Sequence, residues 1–365
     1  MPRRAIAFRP PHCPNPQCDF HRDPRGWRYR RHGFYERQVA PRRIQRYRCS
    51  RCGRSFSDQT FSLTYWLKRP QALAPVYEGL VACSGYRQVA RALGVSPSCV
   101  QHHATRLGRH ALLFLAEHGP RGAPREPLVV DGFETFEHSQ YYPFHVNLAV
   151  GAESHFLYGF TDAELRRKGR MTQGQKQRRE ALEAACGRPD PKAVEREVAE
   201  LLTLVAPTRS SVVVRSDEHR AYPRAFRRCR ELAIRHEMTP SRRARTTANP
   251  LFPVNRMDLL LRHCGANHKR ETIAFSKRRQ SAMERVAVFA VWVNFQKSRS
   301  EKRRDATPAQ VLGLRATRLT TQELLGRRRF ATRVPLPPRW QCYYAREIVT
   351  RARRCSPPRR YRYAA

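Results

Sequence analysis

Asp131 and Asp217 are the residues in this sequence best placed to do chemistry. Each closes an apolar, β-branched run, "LVVD" (Leu128–Asp131) and "SVVVRSD" (Ser211–Asp217), so each is a carboxylate carried on the tip of a strand. A carboxylate beside a buried sheet is costly unless it is paired or bound to a cation. Taken singly, a strand-end aspartate commonly caps the following turn. Here the same device occurs twice, 86 positions apart, in a chain with only 30 acids against 71 lysines and arginines. With a third acid on a helix, the two would form a cluster able to hold two divalent cations about 3.5–4 Å apart, the arrangement for in-line attack on a phosphodiester.

Three candidates for the third acid follow. Asp258, in "NRMDLLLRHC", opens an apolar helical run 41 positions after Asp217, with Asn255 one turn earlier on the same face. Glu271 lies in the polar, turn-like "KRET". Glu284 sits inside a long amphipathic helix, Ser276 to about Lys297, whose Val286, Phe289, Trp292 and Val293 read as core. Asp258 is the first choice and Glu271 the alternative.

A second chemistry is carried by thiols. Cys13 and Cys18 form C-x4-C and Cys49 and Cys52 form C-x2-C, each pair suited to one tight turn of a tetrahedral zinc site, with Gly53 relieving the backbone after the second. His12 and His21 compete as ligands. Between the pairs, "GWRYRRHGFYERQ" and "RRIQRYRC" alternate aromatic and basic residues in strand-like runs, which predicts a zinc ribbon of two β-hairpins over residues 1–60. A core this small depends on its Zn2+. The exposed Arg, Tyr and Trp side chains then read as a surface for a nucleic-acid backbone. The other seven cysteines show no ligand-like spacing and read as reduced thiols.

The elements that position these groups can be read in order. In "YRQVARALGVSPSCVQHHATRLGRH", Val89, Ala90 and Leu93 share a helical face, Gly94 permits a tight turn, and Ser96-Pro97 opens a second helix. That is a helix-turn-helix pattern, assigned to residues 61–122, in which Ser98, Gln101, His102 and Thr105 face a major groove while Arg106 and Arg109 reach phosphates. After the linker "HGPRGAPREP" an α/β core runs over 126–300, with a polar helical insertion at about 162–207. Residues 301–365, with "GRRRF" and "CSPPRRYRY", read as a basic, partly disordered tail. The fold class is therefore multidomain: a β zinc ribbon, an α helix-turn-helix and an α/β core.

Composition names the partner. A formal charge of +41 calls for a polyanion, and nucleic acid is the obvious one, although 63 arginines against 8 lysines partly reflect a GC-rich coding bias. No run of about 18 apolar residues and no apolar segment behind the basic start are present, so a cytoplasmic protein with no membrane partner is expected.

Taken together, the four-Cys ribbon, the helix-turn-helix and the succession "LVVDG", "VVVRSDEHRAY", "NRMD" and "RETIAFSK" resemble bacterial insertion-sequence transposases of the DDE, RNase-H-like kind, over roughly residues 10–300. The resemblance implies an RNase-H-like core and a DNA transposase that assembles as a homo-oligomer on element ends and target duplex, in the bacterial nucleoid. It matches Asp131, Asp217 and Asp258 to three acids that hold two Mg2+ or Mn2+ ions for strand cleavage and strand transfer. The third position in that family is usually Glu. The Asp here leaves three readings: a closer helix, Glu271 in its place, or a catalytically inactive DNA-binding regulator descended from such an enzyme. An RNA-binding chaperone is a more distant alternative.

Overall fold

The computed structural model describes residues 8–302 and 305–353, which fall into two compact units. Unit one comprises residues 8–75 and 319–335; unit two comprises 76–302, 305–318 and 336–353.

In unit one, β1 (Tyr29–Glu36), β2 (Arg43–Cys49) and β3 (Ser55–Ser57) form a single antiparallel sheet in that order, the two expected hairpins sharing β2. The β1–β2 register slips between Arg31 and Phe34, and Gly33, at φ 68°, supplies the left-handed backbone this irregularity needs. Tyr47, Phe56, Phe61 and Phe330 pack with Cys13, Cys18 and Cys49, and Trp27 and Tyr29 close over them. The aromatics expected on a binding surface are thus the core, because so few apolar residues are available to build one. Arg28, Arg30, Arg31 and Arg48 remain exposed.

Unit two is built on a mixed five-stranded sheet of order β6-β5-β4-β7-β8. The strands are β4 (Leu128–Phe136), β5 (Pro143–Gly151), β6 (Leu157–Glu164), β7 (Ser211–Ser216) and β8 (Ala233–Met238). β4, β5 and β6 are antiparallel; β7 runs parallel to β4, and β8 parallel to β7. Leu128, Val129 and Val130 are fully buried on the central strand, as a doubly covered strand requires. The described helices include α1 (Tyr86–Leu93), α2 (Pro97–His118), α3 (Gln173–Cys186), α4 (Ala193–Val205), α5 (Ala221–Arg228), α6 (Phe252–Cys264), α7 (Arg279–Phe295) and α8 (Pro338–Ala345).

The predicted turn between α1 and α2 is present. Gly94 adopts φ 60°, Pro97 opens α2, and the Ser96 hydroxyl accepts from the Cys99 N–H. The two helices belong to unit two, however, and α2 continues for 22 residues along α7. Gly108 makes that packing close, since a Cβ there would lie 2.6 Å from the Glu284 Cβ. This corrects two expected DNA contacts. Thr105 is 3% exposed and donates to Glu284 Oε2 at 3.1 Å, and the Arg109 guanidinium lies 4.1 Å over the Tyr344 ring. Thr105 is not placed to meet a groove, and Arg109, expected at a phosphate, is half-buried against Tyr344.

Two further expectations change. The segment read as an insertion contains α4, whose Val198, Leu201 and Leu202 are buried and whose Leu201 and Val205 lie over Gly159 of β6. It is a sheet-covering helix, and only α3, without a buried residue, is peripheral. The described residues of the basic tail pack against the rest of their units: in unit two, Trp340 Nε1 donates to Phe160 O at 3.2 Å and Tyr343 is fully buried. In unit one, Phe330 of "GRRRF" enters the ribbon core. The stretch "CSPPRRYRY" lies outside the described residues.

Candidate active site and metal centre

The ladder between β4 and β7 pairs Leu128 with Val214 and Val129 with Arg215. Past that point β4 runs on beside β5, and Asp131 stands where the two parallel strands part. β7 ends at fully buried Ser216, and Asp217 follows it. The Ser216 hydroxyl donates to Asp217 O at 2.8 Å, and Asp217 Oδ1 accepts the His219 backbone N–H at 2.9 Å. The chain then enters α5, whose Tyr222 is 3% exposed and donates its hydroxyl to Asp131 Oδ1 at 2.9 Å.

Asp258 reaches the same place from α6. Burial, opposed by the Gly132 N–H and the Tyr222 hydroxyl and reinforced by the Asp217 charge, raises the Asp131 carboxyl above its ordinary range. Burial and then the Asp131 charge push Asp258 well above that range, against the nearby cations Arg262 and Arg245. Burial raises Tyr222 as well, and the charges of Asp131, Asp217 and Asp258 all add to it. These three aspartates, carried by a strand, a strand tip and a helix, thus lie near enough for their charges to act on one tyrosine. Asp258 Oδ1 is shut from solvent and has no hydrogen-bond partner.

Glu271 is exposed in the connection between α6 and α7, and it is not among the groups whose charge acts on Asp131, Asp258 or Tyr222. Glu284 is enclosed on α7, where it accepts from Thr105 and Gln280 and pairs with Arg346 at 2.9 Å, a structural role. Tyr222 escaped the sequence reading although its stretch "SDEHRAY" was in view. The available signal was its place in the first turn of the helix that follows Asp217.

The thiols of Cys13, Cys18, Cys49 and Cys52 lie within 4.8 Å of one another, a group consistent with a structural zinc site. Among the described residues it is the single group of three or more potential ligands that close, so the three aspartates do not approach one another to that degree. Gly53, at φ 70°, turns the chain after the second pair, and Trp27 Nε1 donates to Cys49 Sγ at 3.3 Å. The histidines are engaged elsewhere: His21 bonds Cys13 O through Nδ1 at 2.7 Å and Thr332 through Nε2 at 2.9 Å, and His12 Nδ1 bonds Cys13 O at 2.9 Å. Burial is the main cause that lowers His12 to a pKa of about 4, which keeps it neutral in the ribbon core.

Of the residues on α2 expected to meet DNA, Ser98, Gln101 and His102 are exposed and Arg106, expected at a phosphate, is half-buried. No described helix is long and apolar enough to cross a membrane.

No protein-family model matches the chain, and no curated protein matches it. Among solved structures, it is similar to a chain of the cryo-EM structure of the simian T-cell lymphotropic virus intasome in complex with PP2A regulatory subunit B56 gamma. The match has 15% identity and a TM-score of 0.28, over 67% of this chain and 76% of that one.

Proposed function

We propose that the protein is a DNA transposase whose unit two is an RNase-H-like catalytic core for metal-dependent strand cleavage and strand transfer. What supports the reading is that Asp131, Asp217 and Asp258 come from three separate elements, that Tyr222 donates to Asp131, and that the charges of all three act on that tyrosine. Three carboxylates, of which Asp217 acts to raise Asp131 and Asp131 to raise Asp258, one with a buried and unpartnered oxygen, suit hard divalent cations. Asp131, Asp217 and Asp258 would hold Mg2+ or Mn2+, which when bound lowers the pKa of water and offsets charge on the transferring phosphoryl group.

The chain's own residues supply the rest. Asp131 and Asp217 are each held by one oxygen, so neither carboxylate is free to rotate away. Arg245 and Arg262, beside Asp258, place positive charge where a phosphodiester would enter. The exposed start of α2, with Ser98, Gln101, His102 and Arg106, would read the element ends, and the four-Cys ribbon with its arginines would grip the backbone. Copies of the chain would assemble on element ends and target duplex.

The test is nicking of an end-containing duplex. Cleavage that requires Mg2+ or Mn2+ and disappears in Asp131→Asn and Asp217→Asn, while duplex binding persists without added Mg2+ or Mn2+, supports the reading. Nicking that survives both substitutions overturns it. One observation favours an inactive DNA-binding regulator: the three carboxylates do not close to within 4.8 Å of one another. Metal-independent binding without cleavage by the unaltered chain would establish that alternative.

A further inference from the structure

The turn between β7 and α5 does more than deliver Asp217. Within Asp217–Tyr222, the His219 N–H donates to Asp217 Oδ1 and the Tyr222 hydroxyl donates to Asp131 Oδ1, each at 2.9 Å. One short segment thus grips both strand-borne acids. The segment is itself anchored. Ser216 Oγ gives its proton to Asp217 O, so at 2.9 Å it accepts from His236 Nε2 on β8. The Tyr222 ring stacks on Phe226 with centroids 6.5 Å apart and meets His219 at 6.1 Å, so its hydroxyl cannot swing away without unpacking α5.

We infer that Tyr222 is a positioning residue for the acidic site, fixing Asp131 by one oxygen and leaving the other edge of the carboxylate for ligation. This rests on the proposed transposase reading. The reasoning is that of outer-shell partners generally: a donor locked by packing fixes a ligand's rotamer before the cation arrives. Because Tyr222 and Asp217 share one turn, any displacement of that turn moves both acids together. Asp258, with its unpartnered Oδ1, has no such holder on that atom and is the member left to adjust.

Tyr222→Phe keeps the ring and deletes only the hydroxyl. Titrating the full-length protein with Mn2+, and following free Mn2+ by electron paramagnetic resonance, measures affinity independently of turnover. Losing an outer-shell partner typically weakens metal affinity about 10–100-fold, so at least a ~10-fold weaker Kd is expected in Y222F. Duplex binding without added Mn2+ should be unchanged, and nicking should return at proportionately higher Mn2+. Equal Mn2+ affinity in Y222F and the unaltered chain overturns the positioning role and leaves the transposase reading standing. Mn2+ binding that is weak in the unaltered chain and indifferent to Asp131→Asn overturns both.

Discussion

Replacing Asp258 with Asn is expected to stabilise unit two while removing its response to divalent metal. Asp258 is partly exposed as a residue, yet its Oδ1 is shut away from water without a partner and faces the charge of Asp131. A buried polar atom left unsatisfied costs about 1–3 kcal/mol. The amide keeps the shape and a polar atom on the same spot but removes the charge that faces Asp131, so the gain should lie at the low end, about 1 kcal/mol. For a domain of this size about 1 kcal/mol corresponds to roughly 2–4 °C in Tm, so D258N in EDTA should melt a few degrees higher. The metal works in the opposite sense. A ligand at 100 times its Kd stabilises the form it binds by about 2.7 kcal/mol, so saturating Mn2+ should raise the Tm of the unaltered chain and scarcely move the variant. Differential scanning calorimetry with EDTA and with Mn2+ reads both effects. A variant that melts lower than the unaltered chain in EDTA, yet shifts equally with Mn2+, would refute the reasoning.

Three more outcomes follow from other parts of the molecule. Cys49→Ser should lower the zinc content from one per chain to near zero, measured by plasma mass spectrometry, and should red-shift Trp27 emission because its indole N–H sits on that thiolate. Gly108→Ala should destabilise by about 1–3 kcal/mol despite its better helix propensity, because the new methyl would fall 2.6 Å from Glu284 Cβ and 2.8 Å from its carbonyl oxygen; urea midpoints would show the loss. His268 is 1% exposed; burial, with Arg285 and Arg262 adding, lowers it to a pKa of about 3. Its folded pKa lies below the unfolded value, so this contribution to stability is fully present above about pH 6.5 and is lost as pH falls toward 3. The linkage amounts to about 2 kcal/mol between pH 7 and 5, and His268→Gln should flatten urea midpoints over that interval.

The strands that carry Asp131 and deliver Asp217 were legible from their β-branched runs, but only Asp217 follows a strand end: β4 runs on past Asp131 to Phe136, because its ladder with β5 continues where the ladder with β7 stops. The four-Cys group was legible because its spacing is chemically narrow. The Ser96-Pro97 cap and Gly94 turn were readable for the same local reasons. What failed was long-range. Thr105 looks like a groove-facing residue and Arg109 like a phosphate contact on an isolated helix, and only the packing of α2 against α7 and α8 shows where they lie. The tail misled because its arginines and prolines outnumber its apolar residues. Trp340, Tyr343 and Phe330 nonetheless suffice to dock it, since each finds a buried partner set far away in sequence. Tyr222 was invisible as a site residue because a tyrosine in a helix's first turn is ordinary until its partner, 91 positions upstream, is known.

The central claim is that Asp131, Asp217 and Asp258 share divalent cations. The most direct measurement is anomalous scattering from crystals of the full-length protein grown with Mn2+. The account predicts a Mn2+ peak within about 2.1 Å of oxygens from at least Asp131 and Asp217, with Asp258 drawn in and the Tyr222 hydroxyl still on Asp131. Peaks confined to other surfaces, with these aspartates as far apart as before, would contradict it.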